Sequence, residues 1–117
     1  MFNRIVWFDL PALDLERAMK FYSSVLDADV SESYPGVGVI TSDDGAVSGC
    51  VFCSEDVQPS DQGVLLYFNV DGRLEDAVSA AEKFGGSVNE APHAIGEFGH
   101  RAIVIDSEGN RIALHSA

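Results

Sequence analysis

The sequence predicts an α+β fold made of two consecutive βαβββ modules. Two segments of helical period lie about sixty residues apart, and a run rich in β-forming residues precedes each of them. Three further strand-like runs, separated by turn signals, follow each helical segment. One module cannot bury a face of its sheet alone, so both modules are expected to share a single domain spanning residues 1–117.

The first helix is predicted over DLERAMKFYSSVL, residues 14–26. Asp14 is a suitable N-cap, and Glu16 lies favourably in the first turn. Its apolar residues recur at helical spacing and are predicted to form one buried face: Leu15, Ala18, Met19, Tyr22, Val25 and Leu26.

The second helix is predicted over DGRLEDAVSAAEKFGG, residues 71–86. Asp71 is its candidate cap, and Gly85 and Gly86 suit a left-handed stop at its end. Its apolar stripe comprises Leu74, Ala77, Val78, Ala81 and Phe84.

The predicted strands follow the same order in both modules. In the first module, residues 1–54, they are RIVWFDL, ADVSES, GVGVIT and AVSGCVF. In the second, residues 63–117, they are GVLLYFNV, GSVNEAP, HRAIVID and NRIALHS. The polar segment 55–62, which contains Pro59, is the predicted linker.

Composition excludes several classes of function. Nineteen acidic residues against seven basic ones give a net charge of −12, which repels nucleic acid and anionic membranes. Such acidity serves solubility or attracts a cationic small molecule. No apolar run approaches the roughly 20 residues of a membrane span, and the N-terminus lacks the features of a signal peptide. We therefore expect a cytoplasmic protein.

Two cysteines, Cys50 and Cys53, have the spacing of a redox or half-zinc motif. If the strand AVSGCVF continues through Cys53, the two side chains point to opposite faces and neither chelate nor bridge. No second cysteine pair completes a zinc site, so a structural role is expected.

The repeat and its motifs resemble the vicinal oxygen chelate superfamily, which includes glyoxalase I, bleomycin-resistance proteins and extradiol dioxygenases. The resemblance rests on DLERAMKFYSSVLDADV, VLLYFNVDGRLEDAV and FGGSVNEAPHAIGEFGHRAIVIDSEGNRIALHS. The last segment, with GEFG and GNRIALHS, looks most similar to uncharacterised glyoxalase-related bacterial proteins. The resemblance implies a curled mixed sheet around a cavity, and a homodimer.

The same resemblance implies a divalent metal held by His, Gln or Glu ligands from four strands. The matching positions here are Trp7, a place around Gly49 flanked by Ser48 and Cys50, Leu65, and Ala113. None offers a suitable ligand, so we expect no metal at the family position. A different metal cluster remains an alternative, drawn from Asp9, His93, Glu97, His100 and His115.

Strand alternation predicts what lines the cavity instead. His115 shares a face with Ala113, and Trp7 and Tyr67 supply flat apolar walls. In the loop PHAIGEFGH, Phe98 and His100 are candidate ligand contacts, and Glu97 and His115 are candidate proton-transfer groups. The alternatives are core or interface aromatics, a structural histidine and a plain hairpin loop.

Three functions follow from these expectations. The first is a metal-free protein that binds a small molecule, for which the acidity favours a cationic compound. The second is a lyase or isomerase that acts on a small carbonyl metabolite. The third is a partner-binding subunit whose cavity has lost its role. The polar content of the cavity distinguishes the first two, since only an enzyme needs a base within reach of substrate.

Overall fold

The computed structural model describes residues 3–117, so the first two residues of the predicted first module lie outside it. The first module contains β1 (Trp7–Pro11), α1 (Leu15–Leu26), β2 (Val30–Tyr34), β3 (Val37–Ile40) and β4 (Ser48–Phe52). The second contains β5 (Leu66–Asn69), α2 (Leu74–Lys83), β6 (Ser87–Ala94), β7 (His100–Ile105) and β8 (Arg111–Ser116). A single 3-10 turn, Gly96–Phe98, lies between β6 and β7. The predicted βαβββ repeat is confirmed.

Each module forms its own four-stranded mixed sheet. The strand orders are β1-β4-β3-β2 and β5-β8-β7-β6, and in both sheets the first strand pairs in parallel with the last. The remaining pairs are antiparallel. The family resemblance implies a curled mixed sheet around a cavity, and the described residues form two mixed sheets that are not closed.

Aromatic side chains join the two modules into one core. Phe8 of β1 meets Phe68 of β5 edge to face, with ring centroids 5.4 Å apart, and Tyr22 of α1 packs on Phe68 at 5.7 Å. The two helices also contact each other. Because this core covers one face of both sheets, the opposite face is free of helices. We call it the open face, and strand alternation places on it Trp7, Asp9, Cys50, Tyr67, Asn69, Arg101, Ile103, Arg111, Ala113 and His115.

The first helix is capped as predicted, and its predicted residues Ala18, Tyr22 and Val25 are fully buried. Asp14 accepts a hydrogen bond from the Arg17 amide at 3.0 Å. The prediction missed Phe21, which is fully buried, while Leu15, Met19 and Leu26 are only partly buried. The helix packs on α2 as well as on its own sheet, and this packing buries Phe21.

Two predicted helix and strand starts are wrong. The second helix begins after Arg73 and has no side-chain cap. Asp71, the predicted cap, instead accepts hydrogen bonds from the Ser116 hydroxyl and the Ala117 amide, so it secures the end of the chain. The first strand begins at Trp7 rather than Arg4, because the preceding residues are exposed and pair with no neighbouring strand.

The turn before β8 ties the second module to the start of α1. The buried Glu108 carboxylate accepts hydrogen bonds from the amides of Leu13 and Asp14, at 2.9 and 2.8 Å, and from Arg17 Nε at 2.7 Å. Burial opposes its ionisation, yet the bonds from Arg17, the backbone and Ser107 lower the pKa of Glu108 to about 2. A carboxylate at a helix N-terminus is also favoured by the helix dipole.

Asp106 stabilises the same turn through hydrogen bonds to both of its carboxylate oxygens. One of its oxygens accepts the amides of Glu108, Gly109 and Asn110, each at 2.9 Å, and the other accepts the Tyr22 hydroxyl. Burial and the neighbouring Asp106 carboxylate raise the pKa of Tyr22 well above its ordinary value. The turn therefore fixes where β8 begins, and with it the position of the side chains that β8 carries.

Within the described range, neither helix has the length and apolar character needed to cross a membrane.

Candidate ligand-binding cleft

A cleft of about 430 Å³ opens on the second sheet's part of the open face. Strands β5, β7 and β8 form its floor, and the loop with the 3-10 turn forms one side. Its lining residues are Tyr67, Ile95, Phe98, Arg101 and His115. The cleft therefore combines an apolar wall with one guanidinium, one imidazole and one phenol, a mixture typical of small-molecule sites.

The register of three strands brings these side chains together. On β5, β8 and β7, Tyr67, Ala113 and Ile103 lie side by side, and Asn69, His115 and Arg101 form the next row. Since β8 lies between the other two strands, Tyr67 and Arg101 approach each other across it. Ala113 and Ile103 are fully buried in the floor between them.

Arg101 is held at the centre of a hydrogen-bond network. Its Nε donates to His93 Nε2 at 3.2 Å, and a terminal nitrogen donates to the Tyr67 hydroxyl. The other terminal nitrogen lies 4.0 Å from Glu90, which is also 3.9 Å from Arg111. His93 Nδ1 lies 2.8 Å from the Ala91 carbonyl, so the neutral tautomer with its proton on Nδ1 satisfies both contacts of the ring.

His115 holds the loop that forms the side of the cleft. Its Nε2 donates to the Phe98 carbonyl at 2.5 Å, and its ring lies edge to face with Tyr67 at 6.4 Å. Gly99 lets the loop approach this closely, because it has a φ of +94° and a Cβ there would lie 2.4 Å from the Ser116 carbonyl. In this tautomer Nδ1 of His115 keeps a lone pair that can accept a proton or a hydrogen bond.

The structure brings three of the predicted site residues into this cleft: Tyr67, Phe98 and His115. Glu97 lies exposed on the same turn without lining the cleft, and His100 precedes Arg101 on β7 and therefore points to the opposite face.

Sequence reasoning missed Ile95 and Arg101. Had the tight turn at residues 106–110 been used to pair β7 with β8, it would have placed Arg101 beside His115.

Trp7 lies in a separate polar cluster on the first sheet. Its indole Nε1 donates to Asp9 at 2.8 Å, and the Cys50 thiol donates to the same oxygen at 3.1 Å. Burial, aided by Asp9, raises the pKa of Cys50 to about 11, so the thiol stays protonated near neutral pH. Cys53, just beyond the end of β4, is exposed, and both cysteines are free thiols.

The residues on the open face do not fit the metal that the family resemblance implies. Ala113 offers only a buried methyl group, and Gly49 faces the Phe8 ring on the helix side, so Ser48 and Cys50 share the face of Trp7 instead. Over residues 3–117, no group of three His, Cys, Asp or Glu side chains is placed to hold a metal ion. The alternative cluster that included His93, His100 and His115 is thus not assembled.

A profile of the Glyoxalase/Bleomycin resistance protein/Dioxygenase superfamily matches residues 4–114. The chain belongs to this superfamily. No curated protein sequence matches it.

Solved structures share the fold of this superfamily member at low identity. A glyoxalase/bleomycin resistance protein from Albidiferax ferrireducens T118 has a TM-score of 0.84 at 19% identity, covering 98% of this chain and 99% of that one. A glyoxalase-related enzyme from Fulvimarina pelagi has a TM-score of 0.79 at 16% identity, covering 99% and 89%. The fosfomycin resistance protein FosX from Mesorhizobium loti has a TM-score of 0.71 at 15% identity, covering 100% and 94%. These likenesses confirm the predicted fold.

Proposed function

We propose that this superfamily member binds a small organic molecule in the cleft on the second sheet, without a metal at the family position. The observation that carries the proposal is the meeting of Tyr67, Phe98, Arg101 and His115 around one open cavity of about 430 Å³. Aromatic rings supply contact area, and the polar groups orient a ligand. The family shown by the sequence profile supports a function of this kind.

The metal-free part of the proposal is tested by thermal unfolding of chelator-treated protein. Ni(II), Zn(II), Mn(II), Fe(II) and Mg(II) are added one at a time. A metal bound only by the folded state stabilises it by about 2.7 kcal/mol at a hundred times its dissociation constant. We expect no rise in Tm beyond that of a calcium control. A rise of several degrees with one metal would contradict the proposal and restore metal-dependent chemistry.

The location of the site is tested with a pair of aromatic substitutions. Phe98→Ala removes the exposed wall of the cleft, and Trp7→Ala removes an aromatic ring that is also exposed but lies outside the cleft. Hits from a fragment screen by thermal shift and ligand-observed NMR are titrated into both variants. We expect F98A alone to weaken binding. Equal losses in both variants would indicate a cavity spanning both modules, with Trp7 as the wall that the sequence predicted.

The second candidate function is a lyase or isomerase acting on a small carbonyl metabolite. The observation in its favour is His115, whose Nδ1 can accept a proton while Nε2 is bound to the loop. Glu97, on the exposed turn beside the cleft, is the other candidate for proton transfer. Loss of turnover in His115→Ala, with binding retained, would favour the enzyme over the binding protein.

Self-association and location complete the proposal. Ile5 and Val6 before β1, and Val64 before β5, are 65%, 77% and 87% exposed, and such apolar residues favour burial between two copies of the chain. A homodimer predicts a light-scattering mass of twice 12.5 kDa, and a mass of one chain would contradict it. The two free thiols are in keeping with a reducing compartment, so we propose the cytoplasm.

A further inference from the structure

We propose that the ligand of the cleft carries a carboxylate or a similar oxyanion, bound by the Arg101 guanidinium and the Tyr67 hydroxyl beside an apolar ring. This inference rests on the proposed function and names its class of ligand. It replaces the cationic ligand that the overall acidity suggests. Three features support it: the hydrogen-bond donors of Arg101, the absence of acidic residues from the described cleft lining, and the small side chain of Ala113.

Arg101 has donors to spare in a fixed orientation. A guanidinium carries five N–H groups, and among the described residues two of them donate, to His93 and to Tyr67. Of the other three, one is on the nitrogen that bonds Tyr67 and two are on the nitrogen that lies 4.0 Å from Glu90. The Tyr67 oxygen accepts from Arg101, which leaves its own O–H free to donate. The Arg101 guanidinium and the Tyr67 hydroxyl border the same cleft, so they present adjacent donors to one functional group of a ligand. Paired donors of this kind match the two oxygens of a carboxylate.

The lining of the cleft contains a guanidinium although the chain as a whole is strongly acidic. The lining residues include one guanidinium, that of Arg101, and the Glu90 carboxylate lies 4.0 Å from it outside the lining. None of the residues that line the cleft is acidic. At physiological ionic strength, exposed charges more than about 8 Å away are largely screened. The nearby guanidinium therefore decides which ligand charge is favoured.

Ala113, where the family resemblance implies a metal ligand, lies directly beside Tyr67 on the floor of the cleft. Its methyl group allows Arg101 to reach the Tyr67 hydroxyl across β8. A longer acidic side chain there would enter the same space and neutralise the guanidinium. The Arg101 guanidinium, held by His93 and Tyr67, is thus a fixed cation in the lining of the cleft, and it can hold a ligand oxygen.

Three probes that differ only in charge test the inference: benzoate, benzamide and benzylammonium. Each is titrated into the full chain by ligand-observed NMR and by isothermal calorimetry, in low salt and in 0.5 M NaCl. We expect benzoate to bind tightest and to weaken with salt. Arg101→Gln is expected to lower its affinity about 10- to 100-fold, the range of a hydrogen bond to a charged group, and to leave benzamide unchanged.

The matched control is Arg111→Gln. Arg111 also pairs with Glu90, so the substitution removes the same charge, but Arg111 does not line the cleft. We expect it to change benzoate affinity less than threefold. Arg101→Lys, which keeps the charge and loses the fork, should fall between wild type and R101Q. Circular dichroism verifies folding, and if R101Q does not fold, R101K and the salt series on wild type decide the question.

The outcomes separate the two proposals. The oxyanion inference would be overturned if benzamide or benzylammonium bound as tightly as benzoate. If Phe98→Ala abolished that binding, the proposed binding function would still stand. Equal effects of R101Q and R111Q would overturn the inference as well. If none of these probes and no other fragment perturbs the cleft, both the ligand class and the proposed function are wrong.

Discussion

Replacing Glu108 by Gln tests the link between the turn before β8 and the first helix. Glutamine keeps the size of the side chain but has no charge for Arg17 and one acceptor atom fewer for the amides of Leu13 and Asp14. The pKa of Glu108 is lowered from 4.5 to about 2 in the folded chain. At about 1.4 kcal/mol per unit, the charged form contributes about 3 kcal/mol to stability.

The sign of the pH dependence follows from this lowered pKa. The contribution is fully present above pH about 5, where the carboxylate is ionised in both folded and unfolded chains. It is lost as the pH falls towards 2, because the folded protein then takes up the proton that the unfolded chain has already bound. The gap between wild type and Glu108→Gln should therefore be about 3 kcal/mol at pH 7 and close gradually below pH 5.

Urea unfolding followed by circular dichroism at pH 7, 5, 4 and 3 measures this gap directly. Thermal unfolding should show a fall in Tm of roughly 10–20 °C at pH 7 for a domain of this size. Glu55→Gln is the control, since Glu55 is exposed in the linker and should stay within about 0.5 kcal/mol of wild type. A gap that is constant from pH 7 to pH 3 would refute the role assigned to the Glu108 charge.

Two further predictions concern packing and thiol reactivity. Gly49→Ala is expected to lower the free energy of unfolding by about 1–3 kcal/mol, because its Cβ would lie 2.4 Å from the Phe8 ring. Gly38→Ala is expected to lower it less, because its Cβ would meet the flexible end of Met19 at 2.7 Å. Chemical unfolding ranks the two variants, and the reverse order would be inconsistent with the packing described. Iodoacetamide at pH 7.5 should label Cys53 and spare Cys50, which is buried and has a pKa of about 11. Peptide mass spectrometry checks this, and rapid labelling of both thiols in the native protein would count against the burial of Cys50.

The acidity of the whole chain and the Arg101 guanidinium in the cleft act on a ligand over different distances. The net charge of −12 acts at long range and opposes approach to nucleic acid and other polyanions. The Arg101 group acts over a few ångströms at the cleft, where the ligand is held. A ligand charge inferred from composition alone thus differs from the one inferred from the site.

The sequence by itself determined the elements and their order. Asp14 as a cap, the apolar periodicity of both helices and the turn residues between strands are local signals, acting over one or two turns of chain. Eight strands and two helices therefore lie where the pattern placed them, with errors only at ends such as Arg4 and Asp71. The family resemblance added the glyoxalase-type pairing of two modules, and the profile match and the solved structures show that family and fold.

Only the tertiary structure decided which side chains meet. Arg101 reaches Tyr67 across β8, and Glu108 reaches Arg17 over 91 residues of chain. Both contacts depend on strand register and on how two modules pack, which no local pattern encodes. Trp7, predicted as a cavity wall from its place on β1, donates to Asp9 on the first sheet, and the cleft on the second sheet does not include it. Short-range patterns specified the scaffold, and long-range packing specified the site.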